Sequence, residues 1–361
     1  MDTYIKYIIF FAASFVFSVL INKILLTFST NLGVRNKELG LIRWDSFQKP
    51  SLGGISFYIL FLLSIIAYPM IVKDDFTFID MSFIGLISAT SIGFLMGLAD
   101  DAYNTKPFLK FFTQVLCGVI LIISGTYIQL FENNYLNYII TIFWVVGIMN
   151  SLNMLDNMDA VTTVVSLGVM LSILSVLFFF NLVEGVYFAM SLGVIASLGG
   201  FLIFNWHPSK MYMGDTGSQF LGILLAALGI KFLWNAPIEE SVFSVKHFVL
   251  VVVAFLPTLV DTTTVTINRL ARKRSPFVGG KDHTTHFLSY LGLSDKKVAS
   301  LFLILSLISS ALVALAYFYI EDWRLIHTCI YLFYAIVIFV ALFSITKLKS
   351  TNKKYLNRLR K

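Results

Sequence analysis

Charge is what this chain has least of. Asp, Glu, Lys and Arg make up 13% of its 361 residues, where a soluble domain carries about 25%. Cysteine is nearly absent: Cys117 and Cys329 both fall inside apolar runs and read as packed core thiols. That excludes the disulfide framework on which small secreted domains rely. No small-residue cleavage site follows the first apolar run, so that run reads as a retained span rather than a cleavable signal.

Hydrophobicity takes the place of charge, at 58% of residues and a mean hydropathy of +0.83. Apolar windows of about 20 residues, the length that crosses a bilayer, recur over 4–28, 51–72, 82–99, 109–130, 136–154, 161–181, 186–205, 216–235, 247–267, 298–320 and 324–346. The expected fold class is all-α: a polytopic integral membrane protein of about 11 transmembrane helices. It forms one transmembrane domain over 1–346, with a His-bearing loop at 268–297 and a basic tail at 347–361. The link from Asn150 to Ala160 is short and only partly polar. At membrane depth such backbone is tolerated where protein buries it or where it lines a wet cavity.

The cations are unevenly shared. Arg35, Lys37, Arg43, Lys49, Lys106, Lys110, Lys210, the 269–297 loop and the tail lie on one side, and only Lys6, Lys73, Lys231, Lys246 and Arg324 on the other. The positive-inside bias makes the richer side cytoplasmic, with the N-terminus outside and the C-terminus inside. A basic tail on anionic headgroups accounts for the net charge of +7 without nucleic acid.

Ionisable groups at membrane depth are costly and mark function by default. Four polar segments end apolar windows on the cytoplasmic side. In the first, Asp100 and Asp101 repel each other unless a cation or proton offsets their charge. Pro107 then opens a helix on which Lys110 and Gln114 share a face. The plain alternative is an interfacial cap with a snorkelling lysine. In the second, Asn150, Asn153 and Asn157 fall at i, i+3 and i+7, with Asp156 and Asp159 three apart. These suit a hard cation and a nucleotide, or else polar packing between helices. In the third, Met213-Gly214-Asp215-Thr216-Gly217-Ser218 opens a helix whose free amides favour phosphate. Asp215 as an N-cap is its rival explanation. In the fourth, Asp261 precedes Arg269, Arg272, Lys273 and Arg274, a group suited to phosphate oxygens. His283 and His286 follow as donors to a diphosphate; zinc is the rival, but no cysteine accompanies them. Together the four describe a cytoplasmic-facing site for a divalent metal and a phosphate-bearing substrate.

In this order, from Lys49-Pro50-Ser51-Leu52-Gly53-Gly54 through His286, the segments resemble the polyprenyl-phosphate N-acetylhexosamine-1-phosphate transferases, of glycosyltransferase family 4 type. Two departures stand out. Asn157 and Ala160 replace the glycines of the family's Asp-Gly-x-Asp-Gly segment, and His283-Thr284-Thr285-His286 replaces its His-x-His-His. Only His286 is then clearly equivalent, and the place of His283 is open.

The resemblance implies a reaction at the cell inner (plasma) membrane, with the active site facing the cytoplasm. Undecaprenyl phosphate attacks the β-phosphorus of a UDP-N-acetylamino sugar, with Mg²⁺ or Mn²⁺, giving undecaprenyl-diphospho-sugar and UMP. It implies catalytic roles for Asp100, Asp101, Asp156, Asp159 and His286, and substrate binding by Lys110, Asn150, Asn153, Arg272, Arg274 and His283. Asp215 and Asp101 are the implied metal ligands. Membrane lipid is a partner, a homodimer is allowed, and nucleic acid is not a partner. The Lys106-Pro107-Phe108-Leu109-Lys110 run and the Arg274-Ser275-Pro276-Phe277 approach to the histidines resemble the N-acetylglucosamine-1-phosphate branch more than the phospho-N-acetylmuramoyl-pentapeptide transferases. A membrane transporter or lipid flippase is the rival of another class. It would place its acids near the midplane, whereas here they gather at one face.

Overall fold

The computed structural model describes residues 3–29, 49–72, 79–236, 244–276 and 279–348. Arg35, Lys37, Arg43, Lys73, Phe277 and the tail from 349 onward, used in the reading above, lie outside the described residues. Among the described residues thirteen α-helices run in chain order: α1 Thr3–Thr27, α2 Gly53–Ile71, α3 Met81–Tyr103, α4 Pro107–Ile123, α5 Asn134–Leu155, α6 Val161–Phe179, α7 Val186–Asn205, α8 Gly214–Gly229, α9 Val245–Ala254, α10 Leu256–Ala271, α11 Thr284–Tyr290, α12 Asp295–Phe318 and α13 Leu325–Ile345. Among the described residues nine helical segments are long and apolar enough to cross a membrane, and α9 with α10 makes a tenth if counted as one bent span. The shorter apolar α4 accompanies them. The chain is an all-α polytopic membrane protein, as expected.

The helix α8 is the centre of the bundle. Every residue from Thr216 to Gly229 on it is buried, and α2, α3 and α5 pack directly around it. The flanking helices α1 and α13 are mostly exposed along their apolar lengths, as lipid-facing helices are. Between helices in lipid there is little hydrophobic drive, so close backbone approach at small residues supplies the packing. Gly168 of α6 against Ser306 of α12, and Gly193 of α7 against Ser64 of α2, are such contacts.

Cys117 is buried as expected, but Cys329, on the mostly exposed α13, is exposed rather than packed in the core. Three further expectations are corrected. The window 109–130 is helical only to Ile123. Gly125 takes φ +86°, with Thr126 N bonded to Leu121 O at 2.8 Å and Gly125 N to Ile122 O at 3.0 Å. This Schellman stop satisfies the last carbonyls, and apolarity alone did not reveal it. The window 247–267 is not one rod: α9 and α10 meet at 77°. Pro257, in the first turn of α10, lacks an N–H and its ring clashes with a continuing helix. Finally, α5 ends at Leu155, so Asn157 lies in the turn beyond it and does not share the helical face of Asn150 and Asn153.

That turn ends at Ala160, which takes φ +64°. A side chain there is strained, and glycine is not, which gives a physical reason for the glycine the family places at this point. Ala160→Gly should therefore stabilise the protein by about 1 kcal/mol, read as a raised thermal midpoint in detergent; a lowered midpoint would contradict the assigned backbone.

Candidate active site

The site is built around the N-terminus of α8. The segment before α2 pairs with the segment before α8: Tyr212 N bonds Pro50 O at 2.9 Å, Gly53 N bonds Tyr212 O at 3.1 Å and Gly54 N bonds Met213 O at 3.0 Å. A Cβ on Gly54 would overlap the backbone of Gly217, and one on Gly97 would overlap that of Asp215. Glycine at these two positions lets α2 and α3 press directly on the first turn of α8.

Asp101 thereby reaches the free amides. Its Oδ1 accepts from Asp215 N at 3.1 Å, and its Oδ2 from Thr216 N at 2.9 Å and Thr216 Oγ1 at 2.6 Å. A carboxylate from α3 thus caps α8 and meets the positive end of its dipole. A metal-bound role for Asp101 would compete with these three bonds. Asp215 does not cap its own helix. Its Oδ1 accepts from Asn153 Nδ2 and its Oδ2 lies 3.3 Å from Lys110 Nζ.

Lys110 bridges two acids, because the same ammonium lies 2.9 Å from Asp100 Oδ2. The other oxygen of Asp100 accepts from Thr105 N at 2.9 Å and from Thr105 Oγ1 at 2.5 Å. Asn153 also donates to Ser218 Oγ at 2.9 Å. Four helices each contribute: Asp100 from α3, Lys110 from α4, Asn153 from α5 and Asp215 from α8. Asn150 lies one turn deeper, paired with Gln114.

The histidine loop is folded by a clamp that was not foreseen. Arg269 donates from Nε and Nη2 to the two oxygens of Asp282 at 2.9 and 2.6 Å, and from Nη1 to Pro276 O at 2.8 Å. Burial opposes ionisation of Asp282, but the Arg269 guanidinium more than offsets it and holds the carboxyl below its ordinary range. The clamp sets His283 Nδ1 2.8 Å from Asp261 Oδ2, while Thr284 donates to Asp261 Oδ1 from N at 2.8 Å and from Oγ1 at 2.6 Å. The open question of His283 is answered in part: it is the partner of a fully buried aspartate. His286 is buried beside it, and burial together with the neighbouring His283 pushes its pKa down to about 3. Thr285 Oγ1 donates to Asn157 Oδ1 at 2.6 Å. Asn153 and Asn157, four residues apart, thus join the acid cluster to the histidine loop.

Other expected residues are placed elsewhere. Asp159 accepts from Ser209 N at 3.0 Å and Ser209 Oγ at 2.7 Å, pairs with His207 Nδ1 at 2.8 Å, and lies 3.6 Å from Lys49 Nζ. It ties the turn after α5 to the link between α7 and α8. Beside it Asn205 Oδ1 accepts from Ala160 N at 3.1 Å and Thr163 Oγ1 at 2.7 Å. Lys49, His207 and Ser209 were not read as site residues, because only the folded chain brings them to Asp159. Asp156 is half-buried just past α5, and Arg272 and Arg274 are exposed on the loop.

Asp100 and Asp215 offer carboxylate oxygens, with the Lys110 ammonium and the Asn153 amide nitrogen as their neighbours. Among the described residues no three His, Cys, Asp or Glu side chains form a ligating group. One or two carboxylates are what a hard cation takes from a protein when water and phosphate fill its other positions.

A family model described as glycosyl transferase family 4 matches residues 83–233. A "Probable undecaprenyl-phosphate N-acetylglucosaminyl 1-phosphate transferase" of Bacillus subtilis (strain 168) is 28% identical over 258 residues, covering 68% of this chain and 67% of that protein. A "Phospho-N-acetylmuramoyl-pentapeptide-transferase" of Streptococcus agalactiae (serotype Ia) is 30% identical over 201 residues, covering 50% of this chain and 59% of that one. A "Decaprenyl-phosphate N-acetylglucosaminephosphotransferase" of Mycobacterium leprae is 25% identical over 281 residues, covering 70% and 69%.

Two outcomes follow from the geometry. Asp101→Ala removes the cap of α8 and should cost about 1–2 kcal/mol, seen as a lowered thermal midpoint; an unchanged midpoint would contradict the capping role. His286 has a folded pKa of about 3 against an ordinary 6.5, so the unfolded chain takes up the proton first. Its contribution to stability is complete above about pH 6.5 and declines as pH falls toward 3. His286→Gln should flatten that decline in a stability profile; an undiminished decline would contradict a buried neutral imidazole.

Proposed function

The chain belongs to glycosyl transferase family 4, among the polyprenyl-phosphate N-acetylhexosamine-1-phosphate transferases, and from that premise we propose that it transfers N-acetylglucosamine 1-phosphate from UDP-N-acetylglucosamine to undecaprenyl phosphate. A lipid-phosphate oxygen forms a bond to the β-phosphorus, the bond from that phosphorus to the oxygen bridging the α-phosphate breaks, and UMP leaves. The observation that carries this reading is Lys110, whose ammonium bridges Asp100 and Asp215 beside the N-terminus of α8. Phosphoryl-type transfer depends chiefly on in-line positioning and charge neutralisation, and those are what this arrangement supplies.

Asp100, held by Thr105, orients or deprotonates the lipid phosphate. Lys110 neutralises phosphate charge between the two carboxylates. Asp215 is the ligand for Mg²⁺ or Mn²⁺, which when bound supplies further neutralisation of the diphosphate; Asn153 keeps the Asp215 carboxylate in place. His286, neutral near pH 7, donates to the diphosphate or sugar, and Arg272 and Arg274, exposed on the loop, bind substrate phosphate. Asp159, with Lys49 beside it, is assigned to contact the nucleotide. The excess of cations on the side bearing the site supports a cytoplasmic active site, with the N-terminus outside and the C-terminus inside.

The Bacillus and mycobacterial relatives support N-acetylglucosamine. The streptococcal relative, matched over less than two thirds of its length, supports the second reading, a phospho-N-acetylmuramoyl-pentapeptide transferase. A panel of UDP-sugars offered to purified protein with undecaprenyl phosphate and Mg²⁺ separates the two. UMP should appear with UDP-N-acetylglucosamine only when both lipid and metal are present, and Asp215→Asn should abolish it. Normal metal-dependent transfer by Asp215→Asn would refute the metal role. Uptake of the sugar nucleotide into vesicles without UMP would refute the enzyme reading.

A further inference from the structure

Directly beneath the charged residues lies a second, uncharged layer. Lys110, Asn153 and Asp215 stand on α4, α5 and α8; Gln114, Asn150 and Gln219 stand on the same three helices, one turn deeper. The three amides bond to one another. Gln114 Nε2 donates to Asn150 Oδ1 at 3.3 Å and to Gln219 Oε1 at 3.2 Å, and Asn150 Nδ2 donates back to Gln114 Oε1 at 2.8 Å. Asn150 Nδ2 is further tied to Val146 O at 2.9 Å. Gln114 is the hub, and it and Gln219 are almost wholly buried.

Such a layer is a poor way to gain stability. Buried amides must be fully bonded to break even with apolar side chains, and Gln219 Nε2 is buried with no acceptor among the described residues. What polar groups supply at a helix contact is register. Outside this layer and Lys110, the side-chain bonds of α4 to neighbouring helices run to α3, from Thr113 Oγ1 to Met96 Sδ at 3.4 Å and from Cys117 Sγ to Ala89 O at 3.5 Å, so its register toward α5 and α8 rests on the amides. One face of α4 is exposed, and its buried stripe is Thr113, Gln114, Cys117, Gly118 and Leu121. Toward α5 the contact is loose at Gly118, where an added Cβ would only just touch, 3.5 Å from Ile142. Yet α4 carries Lys110, whose ammonium has to sit within hydrogen-bond distance of two acids at once.

We propose that Gln114, Asn150 and Gln219 are positioning residues: a neutral amide layer that fixes α4 and α5 against α8 so that Lys110 stays between Asp100 and Asp215. Neutrality is part of the device, because a carboxylate at this level would compete for Lys110 and a cation would compete for its acids. The proposal rests on the functional reading above for its effect on turnover, but not for its effect on Lys110 itself.

The test is Gln114→Leu, which keeps volume and removes the hub. In full-length protein in detergent, labelling of Lys110 by an amine-reactive reagent, read by mass spectrometry, should rise several-fold over wild type. The value of kcat should fall by about 10- to 100-fold, as small misplacements of a reacting group cause, with KM for the UDP-sugar nearly unchanged and the thermal midpoint equal or higher. Adding Asn150→Leu should cost little more, since the two residues share one network. Unchanged labelling of Lys110, a wild-type kcat, additive losses, or activity falling only in step with the thermal midpoint would each overturn the proposal. Gln219→Leu, which removes a single bond of the hub, gives the same readouts should Gln114→Leu not fold. Wild-type protein that releases no UMP would overturn the functional reading, while Lys110 labelling would still decide this one.

Discussion

Everything at the site depends on how the N-terminus of α8 is satisfied. The first amides of a helix have no partner within it, and here the helix begins half-buried at Gly214 and Asp215 and runs wholly buried from Thr216. Asp101 answers from another helix, taking the amides of Asp215 and Thr216. That bond set locks α3 to α8, and the glycines at 54 and 97 allow the backbones to close on it. A consequence follows for its neighbour. Successive residues on a helix point about 100° apart, so with Asp101 committed to α8, Asp100 is turned toward Thr105 and Lys110. Two adjacent acids that look redundant in sequence are divided by geometry into a cap of α8 and a partner of Lys110.

The charge balance follows from this division. Asp100 and Asp215 would repel across the gap between α3 and α8, and the Lys110 ammonium holds them together. The second anchor is the histidine loop, where Arg269 and Asp282 form a clamp and Asp261 holds His283 and Thr284. The short stretch from Asn153 to Asn157 carries contacts to both anchors, Asn153 to Asp215 and Ser218 and Asn157 to Thr285. A change in that turn is therefore felt at both, which gives the strained Ala160 a weight beyond its size.

Much of this was legible in the sequence because charge is so scarce. Long apolar windows exposed most of the helices, and acids at their ends stood out as costly. The order of Asp100–Asp101, Asn153, Asp215 and His286 sufficed to indicate phosphate chemistry. What stayed hidden depended on partners far along the chain. The Pro257 break was present but swamped by the apolar residues around it. The stop at Gly125 rests on one left-handed residue. Asp159 looked like a partner of Asp156, yet it is held by His207, Ser209 and Lys49, which only the fold brings near. Asp282 had no distinguishing signal in sequence, and only the fold sets Arg269 opposite it. The direction of Asp101 depended on α8, more than a hundred residues away.

The most direct measurement follows the β-phosphorus. UDP-N-acetylglucosamine labelled at that atom is supplied to the purified protein with undecaprenyl phosphate and Mg²⁺, and lipid and aqueous products are separated. On the proposed transfer, with Lys110 between Asp100 and Asp215, the label should pass to the lipid together with the sugar, leaving unlabelled UMP. Label retained in aqueous UDP while the sugar alone reached the lipid would contradict phosphoryl-type transfer, and with it the function assigned to this site.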